Sequence, residues 1–103
     1  MFLAETPMNL DERTSQDIAD LFNSLSDPSR VRIIAALLEG ERNISAIVEA
    51  VGLSQSAVSH QMRTLRQMRI VRARKEGRQV FYCLDDEHIA DLFRQGLEHA
   101  RHE

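Results

Sequence analysis

The apolar positions of this chain switch period twice, from helical to alternating and back, and the switches predict its architecture. Ile18, Leu21, Phe22 and Leu25 recur at helical spacing and predict a first helix from about Asp11 to Leu25. Asp27-Pro28 then supplies a capping carboxylate and a proline at the first helical position, where its missing N–H leaves no bond unmade. The helix it opens is expected to run to Glu39. Val31, Ile33, Ile34, Leu37 and Leu38 make it apolar on most sides, the mark of a central helix. Gly40 is its expected C-cap. Ile44, Ile47, Val48 and Val51 fall at i, i+3, i+4 and i+7, predicting a third helix from near Asn43 to Gly52. Leu53 and Ser54 follow, and another helix begins at once, running to about Met68. Two short helices joined by a glycine-containing turn are a helix-turn-helix signal.

Beyond Met68 the period falls to two. Val71 and Ala73 alternate with Arg72 and Arg74, and Val80, Tyr82 and Leu84 alternate with Phe81 and Cys83. Lys75-Glu76-Gly77-Arg78 lies between, so a two-stranded hairpin with a charged tip is expected. Helical spacing returns with Ile89, Leu92, Phe93, Leu97 and Ala100, on a final helix that starts at Asp85 or Asp86. Residues 1–10 show no period and are expected to form a disordered or frayed arm. Residues 11–103 are expected to form a single domain, because no linker or composition shift divides them. The predicted class is mainly α with a small β-hairpin: a winged helix-turn-helix, dimeric through its terminal helices.

Size and composition narrow the function classes. A chain of 103 residues is one small domain. Domains of that size bury a modest share of their surface, so dimerisation would add stability. No apolar run approaches the roughly 20 residues that span a bilayer. No basic stretch followed by an apolar one marks a secretory signal. A membrane partner is therefore not expected. The lone Cys83 excludes an internal disulfide and a thiolate-cluster metal site within one chain, which suits a reducing cytoplasm.

The net charge of −3 argues weakly against nucleic acid, but its distribution reverses the argument. Arg63, Arg66, Arg69, Arg72, Arg74, Lys75 and Arg78 lie close together, interrupted by one acid, Glu76. A localised basic region is what a DNA footprint requires. The helix ahead of it has two faces: Val58, Met62 and Leu65 for a core, and Ser56, Ser59, His60 and Arg63 opposite, with Ser54 and Gln55 at its start. A recognition helix reads base edges with its N-terminal residues. Small hydroxyls allow close approach to the groove, glutamine can pair with adenine and arginine with guanine. Ser54, Gln55, Ser56, Ser59, His60 and Arg63 are the expected groove-facing set for double-stranded DNA. Lys75 and Arg78 flank the hairpin tip, where a wing reaches phosphates or the minor groove. His60, far from the other histidines, is assigned to DNA.

Three of the four histidines fall in the last sixteen residues, spaced as metal ligands. His88 and His99 would lie roughly 16 Å apart along a helix rising about 1.5 Å per residue. Zinc–nitrogen bonds are only about 2 Å long. The two ends of the segment therefore cannot share a metal within one chain, although two antiparallel copies related by a two-fold axis can. On an ideal helical wheel His88, His99 and His102 share a face. Asp86 does not, and is expected either in a bent or frayed first turn or as a simple cap, with water as fourth donor. Three imidazoles and a carboxylate suit Zn2+, with Co2+ as a close mimic. Gly96 near the same face invites close approach of a partner helix.

Over nearly its whole length the chain resembles the ArsR/SmtB family of bacterial metal-responsive repressors. The resemblance is carried by Leu25-Ser26-Asp27-Pro28-Ser29-Arg30, by Leu53-Ser54-Gln55-Ser56-Ala57-Val58-Ser59-His60-Gln61 and by Gly77-Arg78-Gln79-Val80-Phe81-Tyr82. Asp86-x-His88 and His99-x-x-His102 match the subgroup that senses zinc or cobalt between C-terminal helices. The resemblance implies a homodimer, not an enzyme, that represses a metal export or resistance operon and leaves DNA on binding metal. It also implies coupling through a bond from the terminal helix to the end of the recognition helix, with His99 as donor and the backbone near Met68 or Arg69 as acceptor. The arsenic- and cadmium-sensing branches carry a Cys-x-Cys before the turn; here Asn43-Ile44-Ser45-Ala46-Ile47 has no thiol. A nickel/cobalt sensor of the same fold and a metal-independent DNA-binding regulator are the alternatives.

Overall fold

Every helix of the structure, a computed structural model describing residues 9–102, begins on a polar side chain that caps it. The helices are α1 (Glu12–Ser24), α2 (Pro28–Leu37), α3 (Ile44–Val51), α4 (Gln55–Gln67) and α5 (Glu87–Arg101). Asp11, Asp27, Asn43, Ser54 and Asp86 stand just ahead of them in extended backbone. Their side-chain oxygens accept from the N–H groups of Thr14, Arg30, Ala46, Ala57 and Ile89 at 2.7, 3.1, 2.8, 3.1 and 3.1 Å. Each cap satisfies an N–H that the helix itself leaves unpaired, worth about 0.5–2 kcal/mol. The expected arm, residues 1–10, lies outside the described residues except for Asn9 and Leu10.

One helix end and the size of the sheet differ from expectation. α2 stops at Leu37, two residues before the predicted Glu39, and the chain turns through Gly40 at φ +136°. The hairpin is part of a three-stranded antiparallel sheet in the order β1-β3-β2, with β1 Arg42–Asn43, β2 Val71–Glu76 and β3 Gln79–Leu84. β1 is too short to show alternation, and its partners Tyr82 and Phe81 lie far along the chain. Within the hairpin Glu76 pairs with Gln79, leaving Gly77-Arg78 as a two-residue turn in which Gly77 takes φ +62°. A glycine at the first central position suits a tight hairpin turn.

The core is where α2, α3 and α4 meet the sheet. Ile33, Ile34, Leu37, Ile47, Val58, Met62, Leu65, Ile70 and Val71 are buried there, with Ile89 of α5 closing one side. Burying each large apolar side chain contributes about 1.5–3 kcal/mol. Gly52, at φ +73°, ends α3 and hands the chain to α4 through Leu53 and Ser54. α4 ends in a motif the sequence does not advertise. Arg69 donates to the Arg66 carbonyl at 3.1 Å and Ile70 to that of Leu65 at 2.9 Å, with Arg69 at φ +61°. This is the double C-terminal bond usually closed by glycine, here built on an arginine.

The outer helices are only half used. Leu21 and Leu25 of the predicted first stripe pack on the core, but Ile18 is 40% and Phe22 55% exposed. α5 is buried only near Ile89 and Ala90, and from Arg94 onward it stands in solvent, Leu97 included. No helix is long and apolar enough to cross a membrane among the described residues.

Candidate nucleic-acid interface and metal half-sites

α4 divides as its sequence predicts. Val58, Met62 and Leu65 are buried, while Gln55, Ser56, His60 and Arg63 are exposed and Ser59 is half-buried. The first turn is fixed by Ser54, whose hydroxyl oxygen accepts the Ala57 N–H and lies 3.3 Å from the Ser56 hydroxyl. Ser54 is therefore first a cap. The middle of α4 is tied to the start of α2: Arg30 Nε donates to Gln61 Oε1 at 3.1 Å, and Arg30 Nη1 reaches the Asn23 carbonyl at 3.4 Å. Arg30 was visible in the sequence only as part of a motif, because its partner is 31 positions away.

Lys75 and Arg78 are exposed at the hairpin tip, and neither makes an ion pair among the described residues. The basic run is weaker than its sequence suggests. Arg74 is held bidentately by Glu41, Nε to Oε2 at 3.1 Å and Nη2 to Oε1 at 2.8 Å, and also pairs with Glu76 at 3.5 Å. Its hydrogen bonds to Glu41, ahead of their charge attraction, push the Arg74 pKa up, and the same bonds hold the Glu41 carboxyl below the ordinary glutamate range. Arg72 turns to Cys83, Nε to Sγ 3.4 Å. Of the basic run only Arg74 is paired with carboxylates among the described residues.

The predicted metal ligands form two separated pairs. Asp86 is the N-cap of α5 and stands ahead of its first turn rather than inside a bent one. Its Oδ1 accepts the Ile89 N–H, while its Oδ2 lies 3.6 Å from His88 Nδ1. One carboxylate thus caps the helix and also faces the histidine. At the other end, His99 lies in the last turn and His102 just past it in extended backbone, its N–H donating to the His99 carbonyl at 3.2 Å. The φ of −73° at His102 is still helical, so its side chain sits where helical spacing puts it, three positions on from His99. His99 and His102 line a small cavity with Gln95 and Glu98. Among the described residues no three histidine, cysteine, aspartate or glutamate side chains converge as metal ligands.

Met68 and Arg69 line a cavity of about 560 Å3 together with Asp86 and His88, and with Arg13 and Leu21 of α1. His99 lines a different cavity and makes no side-chain hydrogen bond to Met68 or Arg69 among the described residues. Within one chain, the end of the recognition helix therefore meets the Asp86–His88 pair and not the His99–His102 pair.

Comparison with known proteins bears on this geometry. A family model described as bacterial regulatory protein, arsR family, matches residues 27–73. A transcriptional repressor SmtB homolog from Synechocystis is 42% identical over 94 residues, covering 91% of this chain and 70% of that protein. A cadmium resistance transcriptional regulatory protein CadC homolog from Staphylococcus aureus is 37% identical over 94 residues, covering 90% of this chain and 78% of the relative. The homodimeric winged helix-turn-helix DNA-binding domain of a possible ArsR-family regulator from Mycobacterium bovis superposes with a TM-score of 0.78 at 26% identity, covering 95% of this chain and 94% of that one.

Proposed function

Because the chain belongs to the arsR family of bacterial regulatory proteins, we propose that it is a cytoplasmic repressor that binds operator DNA as a homodimer and leaves it when Zn2+, or Co2+ as its mimic, binds between the two chains. The observation that carries the reading is the division of α5. It bears a carboxylate–imidazole pair at its start, with Asp86 Oδ2 and His88 Nδ1 3.6 Å apart, and an imidazole pair, His99 and His102, at its end. Each pair alone is too few for a tetrahedral ion, whereas one of each makes four donors. A two-fold dimer joins the start of one α5 to the end of the other, twice over.

The residues present fit the ion. Three imidazoles and one carboxylate are a borderline donor set, and the lone thiol, Cys83, is engaged by Arg72 on the neighbouring strand. Ile18, Phe22 and Leu97, left in solvent by the single chain, give a second copy an apolar surface to cover. A bound ion would supply a cross-link between the two terminal helices.

Coupling follows from placement. Asp86 and His88 share their cavity with Met68 and Arg69, the end of the recognition helix. His99 from a second copy, brought to that pair, would have its second ring N–H near those backbone carbonyls, the usual way a metal-bound histidine is oriented. On the DNA side Gln55, Ser56, Ser59, His60 and Arg63 read the groove, with Ser54 holding the first turn, while Lys75 and Arg78 hold the backbone. If metal lowers DNA affinity, DNA lowers metal affinity by the same factor.

The test is a zinc titration into a pre-formed complex with a duplex selected by the protein from a random-sequence library, followed by fluorescence anisotropy. Release at a stoichiometry of two zinc ions per dimer is expected. A complex that stays bound through saturation of the sites would leave a DNA-binding regulator without metal control.

A further inference from the structure

The wing is a two-stranded ribbon whose tip carries Lys75 and Arg78, and ribbons of that kind are marginal structures on their own. Something must fix its angle to the helix-turn-helix if tip and recognition helix are to meet one duplex together. The segment between α2 and α3 does this, by three contacts that reach more than thirty residues along the chain. β1 pairs with β3, Arg42 opposite Tyr82 and Asn43 opposite Phe81. Glu41 takes both arms of Arg74, whose guanidinium also lies 5.1 Å from the Phe81 ring centre. The third contact is Asn43 itself. Its Oδ1 accepts the Ala46 N–H at 2.8 Å, and its Nδ2 donates to Gln79 Oε1 at 2.7 Å. The amide orientation is forced, because a backbone N–H can only donate.

One side chain therefore has its acceptor in the first turn of α3 and its donor on the wing, at the residue adjoining the Gly77-Arg78 turn. Capping alone does not need an amide, since serine and aspartate cap as well. We propose that Asn43 and Gln79, backed by Glu41 and Arg74, are positioning residues that set the reach of the wing, so that Lys75 and Arg78 meet the DNA backbone when α4 is seated in the groove. The proposal rests on the DNA-binding reading above. Its signature is specific: loosening the latch costs affinity only through the tip.

Asn43→Ser keeps a capping oxygen and removes the reach to Gln79; Gln79→Ala removes the same bond from the wing side. Both are compared with wild type, with the tip variant Lys75→Ala/Arg78→Ala, and with each latch change combined with the tip variant. The readouts are thermal unfolding and affinity for the selected duplex over a range of salt. Each latch change is expected to weaken binding about three- to tenfold, and to make the plot of log affinity against log salt shallower by about one phosphate contact. In the tip-variant background the same change should weaken binding less than about twofold, the non-additivity of residues that act through one another. Full, additive losses in that background, or no loss in wild type, overturn the latch. If Asn43→Ser does not fold, Gln79→Ala, on an exposed strand position, decides alone. A wild-type protein that retained no duplex from the library would overturn the DNA reading and the latch with it; a retained duplex with additive losses overturns the latch only.

Discussion

Asp86 has two tasks, and its chemistry allows them to be pulled apart. One oxygen caps α5 through the Ile89 N–H, and the other faces His88. Asparagine caps a helix as well as aspartate does, but it offers a metal a neutral donor. In metal-free protein Asp86→Asn should leave the unfolding free energy within about 0.5 kcal/mol of wild type, whereas Asp86→Ala should lose about 1 kcal/mol. Both should bind zinc more weakly than wild type. Chemical denaturation without metal and zinc titration by competition with a chelator separate the two. Asp86→Asn with wild-type zinc affinity would remove the residue from the ligand set and leave it as a cap.

At the scale of the elements, the end of α4 is built under strain. Arg69 closes the helix at φ +61°, a conformation that costs an L-residue roughly 1–2 kcal/mol. Gly52 closes α3 at φ +73° without that cost. Arg69→Gly should therefore stabilise the fold by about 0.5–1 kcal/mol, the relief of strain offset in part by the freer unfolded chain. Gly52→Val should destabilise it by about 1–2 kcal/mol. Thermal unfolding of the two variants checks both signs. A destabilising Arg69→Gly would mean that the arginine side chain contributes more than its backbone loses. The same strained residue lines the cavity of Asp86 and His88.

At the scale of the whole molecule, the separated half-sites predict complementation. A variant Asp86→Asn/His88→Ala keeps only the His99–His102 pair, and a variant His99→Ala/His102→Ala keeps only the Asp86–His88 pair. Each homodimer should bind zinc poorly. In the mixed dimer both intact halves meet at one position and both damaged halves at the other, so it should recover one tight zinc per dimer. Zinc stoichiometry on a tagged, purified mixed dimer reads this directly. A mixed dimer that recovers no tight site would defeat the intersubunit arrangement, whatever the fate of DNA binding.

What the sequence determined by itself was set within one or two helical turns. Asp27-Pro28 and Ser54 announced helix starts and Gly52 a helix end, because capping joins residues three positions apart. The buried and exposed faces of α4 followed from a period that a short window contains. The separation of Asp86 and His88 from His99 and His102 along α5 was legible too, since helical rise is a local constant. Tertiary structure alone decided what lies across the chain. It made β1 from two residues with no pattern of their own, by laying them against β3. It removed Arg74 from the basic surface by bringing Glu41 to it from 33 positions away, and it joined Asn43 to Gln79 across 36. It placed the end of α4 beside Asp86 and His88. Such contacts leave no mark in a local window, because each depends on how the helices and the sheet pack around the core.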